Sequence, residues 1–401
     1  MNNEVEFDPM SNEYFNDPYD VYRRLRDEAP VYWSDKYGFY ALSRYADVYR
    51  AHRDPVALSS SYGVEFFGLM KGEQAPDELQ SIITMDPPGH DRMRGLVSRV
   101  FTPRAIGRLE PMVREVISGY LDQLAGEATF DAVADFGAYF PVDIISRMLG
   151  VPAPDRQWIR ETLDVALHRE EGQQELGAEN IEAFASSYLY FLDLTRVKRA
   201  NPADDMMTHL TQVEAPRDDG LSTHLTDEEI GGFAALLGAA GAETVTKLVG
   251  NGVVLMHRHR AEWQKVLANR ELIPSAVEEM LRFQPPSQYQ GRFAVQDTEY
   301  SGVTIEAGHP VLLLTGAASR DEREYAHPDT FDVDRPPSMS LTLGFGIHSC
   351  LGAALARIES RVAFEEIATR YPTFGVDESG LQRVQMSNVA GYSHVPFITN
   401  A

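Results

Sequence analysis

The chain contains a single cysteine, Cys350, and its neighbours are of the kind that make a thiolate useful. In Leu343-Gly344-Phe345-Gly346-Ile347-His348-Ser349-Cys350-Leu351-Gly352, three glycines surround the sulfur and a histidine stands two residues before it. Gly344 and Gly346 let the backbone turn tightly and approach a flat ligand, where a Cβ would obstruct it. Leu351, Leu355, Ile358, Val362 and Ile367 recur at helical spacing, which predicts an amphipathic helix directly after the cysteine. Cys350 is therefore expected at a helix N-terminus, where unpaired N–H groups and the positive end of the dipole stabilise a thiolate. Metal ligation is the chemistry open to such a sulfur. A lone intracellular cysteine is otherwise a small buried hydrophobe, and only this context argues against that.

Three further groupings could do chemistry. Asp86-Pro87-Pro88-Gly89-His90-Asp91-Arg92-Met93-Arg94 opens on helix-start prolines, and His90 and Arg94, four apart, share one helix face. Such a pair can hold carboxylates through charge-assisted hydrogen bonds, although a solvated helix face is the plainer account. Gly238-Ala239-Ala240-Gly241-Ala242-Glu243-Thr244 is rich in small residues and ends on an acid beside a hydroxyl. A glycine inside a helix costs about 1 kcal/mol relative to alanine, so these serve close helix packing or a flat ligand lying on the small face. Glu279-Met280-Leu281-Arg282 sets an acid and a base at i,i+3, a pair worth only a few tenths of a kcal/mol on a surface helix.

In this order, these stretches resemble the cytochrome P450 superfamily. The cysteine stretch resembles its haem loop, F-G-x-G-x-H-x-C-x-G, with Leu343 where phenylalanine is usual. Ala240 to Thr244 is similar to its oxygen-activation motif, [AG]-G-x-[DE]-T, and Glu279/Arg282 to its E-x-x-R signature. The resemblance implies Cys350 as the thiolate ligand of haem b (iron protoporphyrin IX), the family's mode of ligation. It implies His90, Arg94, Arg292 and His348 as further cofactor-binding residues, and Thr244 and Glu243 as the catalytic pair, a distal hydroxyl with a proton relay from solvent. Arg335 would join Glu279 and Arg282 in a buried brace. Phe66, Phe67, Leu236, Ala240, Tyr289, Val389 and Tyr392 fall where a pocket for a small apolar organic substrate is implied. Leu167 to Gly172 falls, by position only, where the family has a mobile lid.

The implied activity is an O2- and NAD(P)H-dependent monooxygenation (hydroxylation, epoxidation or dealkylation), with electrons from a ferredoxin and ferredoxin reductase. Arg99, Arg104 and Arg357 are candidates for docking an acidic ferredoxin. The implied fold is mainly α with a small β region, in one domain over residues 1–401 and as a monomer, with haem between a long central helix and the cysteine loop. A peroxide-driven peroxygenase and a non-catalytic haem sensor or lipid-binding protein are the competing readings.

Local signals place the supporting elements. Thr226-Asp227-Glu228-Glu229 is a capping box opening a helix to about His257, roughly 48 Å long at 1.5 Å per residue. A helix is expected over 274–283 between Ile273-Pro274 and Pro285-Pro286, and a short one over 17–29. Tyr32-Trp33 and Gly38 to Leu42 read as a hairpin, and 287–315 as short β segments turning at Gly302 and Gly308, with an edge hairpin as the plain account. The aromatic, glycine-containing loop over 59–84 either lines a pocket or anchors itself to the core. With 43% hydrophobic and 24% charged residues the chain is an ordinary globular protein. A net charge of -24 argues against nucleic-acid binding. One cysteine excludes an intramolecular disulfide. The polar, acidic N-terminus and the short apolar run over 231–242 predict a cytoplasmic protein with no membrane anchor.

Overall fold

The computed structural model describes residues 5–74, 80–167, 177–215, 220–221, 223–384, 386 and 388–400. The expected lid connection lies, from residue 168 onward, outside the described residues. The chain forms two compact units, one of Met1–Asp86, Leu255–Cys350 and Gln382–Tyr392, the other of Pro87–Val254, Leu351–Leu381 and Ser393–Ala401.

The first unit is built on a five-stranded sheet in the spatial order Val31–Ser34, Phe39–Leu42, Pro310–Leu313, Gln290–Ala294 and Leu58–Ser59. Only the pairing of Phe39–Leu42 with Pro310–Leu313 is parallel. Alternation along the strands fills both faces. Phe39, Ala41 and Leu312 enter one core cluster, while Tyr40, Leu42, Val311 and Leu313 enter another. The hairpin turns at Gly38, φ +70°. The strand Gln290–Ala294 is an inner strand of this sheet, not an edge hairpin; the separate hairpin is Thr298–Tyr300 with Val303–Ile305. The short N-terminal helix runs over Tyr19–Glu28, and Ile273–Phe283 begins with its proline in the first turn.

The second unit is mainly helical, and includes Gly89–Val100, Glu110–Gln123, Phe140–Leu149, Ala178–Ala200 and Ala353–Arg370. A small sheet of Thr129–Asp131, Pro396–Ile398 and Gly375–Val376 closes it, where the Phe397 ring stacks on Phe130 at 4.6 Å and on Phe374 at 4.8 Å. The central helix spans Asp227–Arg258. Its capping box is formed: Glu229 N–H donates to Thr226 Oγ1 at 3.1 Å and Thr226 N–H to Glu229 Oε2 at 2.8 Å. From Val245 to Met256 every residue is buried. Among the described residues this is the one helix long and apolar enough to cross a membrane, with 56% of its most apolar window buried inside the protein.

Candidate active site

The cysteine loop of the first unit is a chain of tight turns. Gly344 and Gly346 both adopt φ +68°, and a Cβ on Gly346 would run into the carbonyl oxygen of His52. On Gly344 it would meet the His348 carbonyl at 3.2 Å. Cys350 N–H donates to the Leu343 carbonyl at 2.8 Å, and Gly344 N–H to Leu341 at 2.9 Å. Cys350 is exposed and outside any disulfide. The following helix begins at Ala353, with Gly352 as its cap, so the sulfur precedes the first helical residue by one short turn. The helix expected directly after the cysteine is present, entered through that turn.

Behind the turns lies a polar cluster belonging to the same unit. His348 Nε2 is 3.1 Å from Ser60 Oγ. Asp86 accepts from Ser60 N–H at 2.9 Å and from Ser59 Oγ. Arg292 is 4% exposed, and the only hydrogen bond of its guanidinium among the described residues is to the Gly291 carbonyl, 2.6 Å away. Burial pulls its guanidinium down to about 10, with Asp86 opposing. His52 is also 4% exposed, and burial, helped by the Arg292 charge, lowers its imidazole to about 3. Buried donors that bond no acid among the described residues are a set that fits carboxylates such as haem propionates.

Glu279, Arg282 and Arg335 are brought together in this unit. Arg282 grips Glu279 through two bonds of 2.7 and 2.8 Å, and Arg335 Nε reaches Glu279 Oε2 at 3.0 Å. Asp332 N–H also donates to Glu279 Oε1 at 2.9 Å. The two arginines spend their remaining donors on the carbonyls of Ser319, Pro328, Thr330, Ala326 and His327, so the brace pins the loop of 319–335 to the helix.

In the second unit His90 is buried, with Nδ1 3.0 Å from Asp91 Oδ1, while Arg94, one turn on, is half-buried. Arg92 between them is engaged structurally, paired with both oxygens of Glu229 and with the His224 carbonyl at the start of the central helix. On that helix, a Cβ on Gly241 would strike Ile145 and one on Gly238 would sit 3.0 Å from Leu163. Gly238 and Gly241 therefore admit close packing of Leu163 and Ile145 against the helix. Ala240 is exposed, and Thr244, half-buried, donates Oγ1–H to its carbonyl at 3.1 Å. Glu243 Oε2 lies 3.1 Å from the Nζ of the buried Lys247.

Several of the apolar candidates are core residues. Phe66 and Tyr289 sit in the first unit's core cluster with Phe39 and Tyr22, and Phe67 packs against it. Tyr392 is 2% exposed beneath the Arg383 guanidinium, which donates to its hydroxyl. Their burial shows that these rings belong to the packed interior of the first unit. Leu236 and Val389 are half-buried, and Val389 forms an isolated bridge with Ser287. His52, Asp86, Ser60 and Lys247 were not singled out in the sequence; for Lys247 the i+4 spacing from Glu243 was a usable signal.

A family model described as Cytochrome P450 matches residues 178–379. The putative cytochrome P450 123 of Mycobacterium tuberculosis (strain H37Rv) is 39% identical over 399 residues, covering 99% of this chain and 98% of that protein. The chain belongs to the cytochrome P450 superfamily. Solved P450s agree with it over their length. The structure of CYP109E1 from Bacillus megaterium in complex with corticosterone gives a TM-score of 0.87 at 31% identity, covering 98% of this chain and 100% of that one. The Bacillus subtilis bacillaene polyketide synthase cytochrome P450 PksS gives 0.89 at 27%, covering 99% and 100%. As a P450 the protein is a haem-thiolate monooxygenase that binds haem and takes electrons from redox partners to oxidise organic substrates.

Proposed function

We propose that residues 1–401 serve one haem b monooxygenase chemistry with Cys350 as the iron's thiolate ligand. The observation that carries this is the cysteine loop, whose two left-handed glycines present an exposed cysteine in the unit that also buries Arg292, which among the described residues has no salt-bridge partner. In that unit Arg292 and His348 would hold the propionates, and His90 and Arg94 are the corresponding candidates in the other. When bound, the haem supplies the iron at which dioxygen is reduced, one oxygen atom entering the substrate and the other leaving as water. Two electrons come from NAD(P)H through a ferredoxin reductase and a ferredoxin. The exposed Arg99, Arg104 and Arg357 of the second unit offer cations to an acidic ferredoxin despite the chain's net charge of -24.

The chain's own residues hold and move protons. Thr244, whose hydroxyl rests against the Ala240 carbonyl, would pass protons on, while Glu243 would exchange them with solvent at its partly exposed carboxylate. Leu236 and Ala240 in the second unit, and Phe66, Phe67, Tyr289, Val389 and Tyr392 in the first, are the candidates to meet an apolar substrate, a steroid, terpenoid or polyketide-like molecule, in keeping with the corticosterone complex and the polyketide-synthase P450 among similar structures. The protein is expected to act in the cytoplasm as a monomer.

The test is the carbon monoxide difference spectrum of the reduced holoprotein, which should show the strongly red-shifted Soret band of thiolate ligation and lose it in Cys350→His. A spin-state screen with corticosterone and polyketide lactones should give high-spin shifts; binding of small polar acids alone would remove the apolar assignment. NADH consumption with ferredoxin and reductase, compared against peroxide alone, separates a monooxygenase from a peroxygenase.

A further inference from the structure

We propose that His52 is an additional donor to a haem propionate, acting beside Arg292 and His348 from within the same unit. The inference rests on the reading of Cys350 and Arg292 above and extends it to a residue outside the recognisable motifs.

His52 caps the C-terminus of the helix Tyr45–Ala51, its N–H bonded to the Val48 carbonyl at 3.0 Å. Its own carbonyl occupies the space a Cβ on Gly346 would need, so this helix end is packed against the cysteine loop. The side chain is 4% exposed, yet among the described residues neither Nδ1 nor Nε2 has a hydrogen-bond partner. A neutral imidazole carries one N–H and one lone pair, and burying both unpaired is costly, so native structures rarely do it. Arg292, whose charge acts on His52, is equally buried, and among the described residues its guanidinium is hydrogen-bonded only to the carbonyl of its neighbour Gly291.

The two side chains do not bond each other, and both have a donor to give. The carboxylate that does face Arg292, Asp86, is occupied by Ser59 and Ser60. What the cluster lacks is a second carboxylate. A haem propionate has that chemistry, with two acceptor oxygens able to take a charge-assisted bond from Arg292 and an N–H from His52. As a neutral donor, His52 adds no second positive charge to the buried guanidinium.

The experiment measures haem transfer from the holoprotein to excess apomyoglobin, for iron protoporphyrin IX and for its dimethyl ester, which has no carboxylates. His52→Leu is expected to release the natural haem about ten-fold faster, the usual effect of one lost bond to a charged group. It should release the dimethyl ester at the wild-type rate. His52→Asn or His52→Gln, which restore an N–H at the reach of one ring nitrogen or the other, should recover much of the retention. The His52→Leu apoprotein should melt no lower than wild type, because it loses only an unpaired buried polar group. Unchanged haem release, or equal acceleration for both haems, would overturn the assignment and make His52 a packing residue. If His52→Leu is insoluble, His52→Phe carries the same comparison. The carbon monoxide spectrum keeps the two readings apart: its absence in wild type sinks the Cys350 assignment, whereas an intact spectrum with unaltered release sinks only His52.

Discussion

Lys247 Nζ stands 3.1 Å from Glu243 Oε2, one helical turn further along the central helix. The lysine side chain is 6% exposed and the glutamate 29%, so the cation is fixed by its surroundings and in turn fixes the acid. Nearby Asp164 has its carboxyl raised chiefly by burial and further by Glu243, against the pull of Arg160. Lys247 is thus a positioning residue for the proposed relay.

Its replacement should uncouple the enzyme without abolishing turnover. Lys247→Met is expected to lower product formed per NAD(P)H by roughly ten-fold or less, well short of the ~100-fold or more for loss of a general acid in Glu243→Gln. Lys247→Arg should stay near wild type. Peroxide release and product yield, measured together, check this; a Lys247→Met enzyme as tightly coupled as wild type would leave the ion pair without a catalytic role.

The brace around Glu279 should behave as a buried network. Glu279→Ala strands two arginines whose geometry depends on that carboxylate, at a cost of about 3–5 kcal/mol. The expected result is a large fall in denaturation midpoint and in haem content of the purified protein. Normal haem incorporation would count against a supporting role for the brace.

The two glycines of the cysteine loop should differ. Gly346→Ala combines left-handed strain of about 1–3 kcal/mol with overlap onto a backbone carbonyl that cannot swing away. Gly344→Ala carries the same strain but meets the His348 carbonyl at 3.2 Å, a contact that small shifts relieve. Haem occupancy after expression should rank wild type, then Gly344→Ala, then Gly346→Ala, and the reverse order for the two variants would contradict the packing described.

Glu359, on the helix after the cysteine loop, is 2% exposed with Oε1 unpaired among the described residues, and burial pushes its carboxyl well above the ordinary glutamate range. The folded protein therefore keeps a proton that the unfolded chain releases, and stability falls as pH rises from the unfolded value towards the folded one. Glu359→Gln, which retains the shape of the protonated acid, should remove this slope. Melting curves between about pH 5 and about pH 8 should show the variant gaining on wild type as pH rises; parallel curves would mean that Glu359 does not hold its proton.

The features legible in the sequence are those decided within a few residues. The Thr226–Glu229 capping box, the hairpin turning at Gly38, the proline-led helix of Ile273–Phe283 and the left-handed glycines before Cys350 all follow from backbone rules that neighbouring side chains satisfy locally. The order of motifs also sufficed to point to the P450 superfamily. Tertiary structure decided which surface each residue faces. Only packing shows that Gly238 and Gly241 receive Leu163 and Ile145, that Phe66 and Tyr289 belong to a core, and that the His52 and Arg292 side chains are buried with no acid hydrogen-bonded to them among the described residues. Burial is a property of contacts between segments distant in the chain, such as His52 against Gly346. Periodicity can announce that a face will be covered, but not by what.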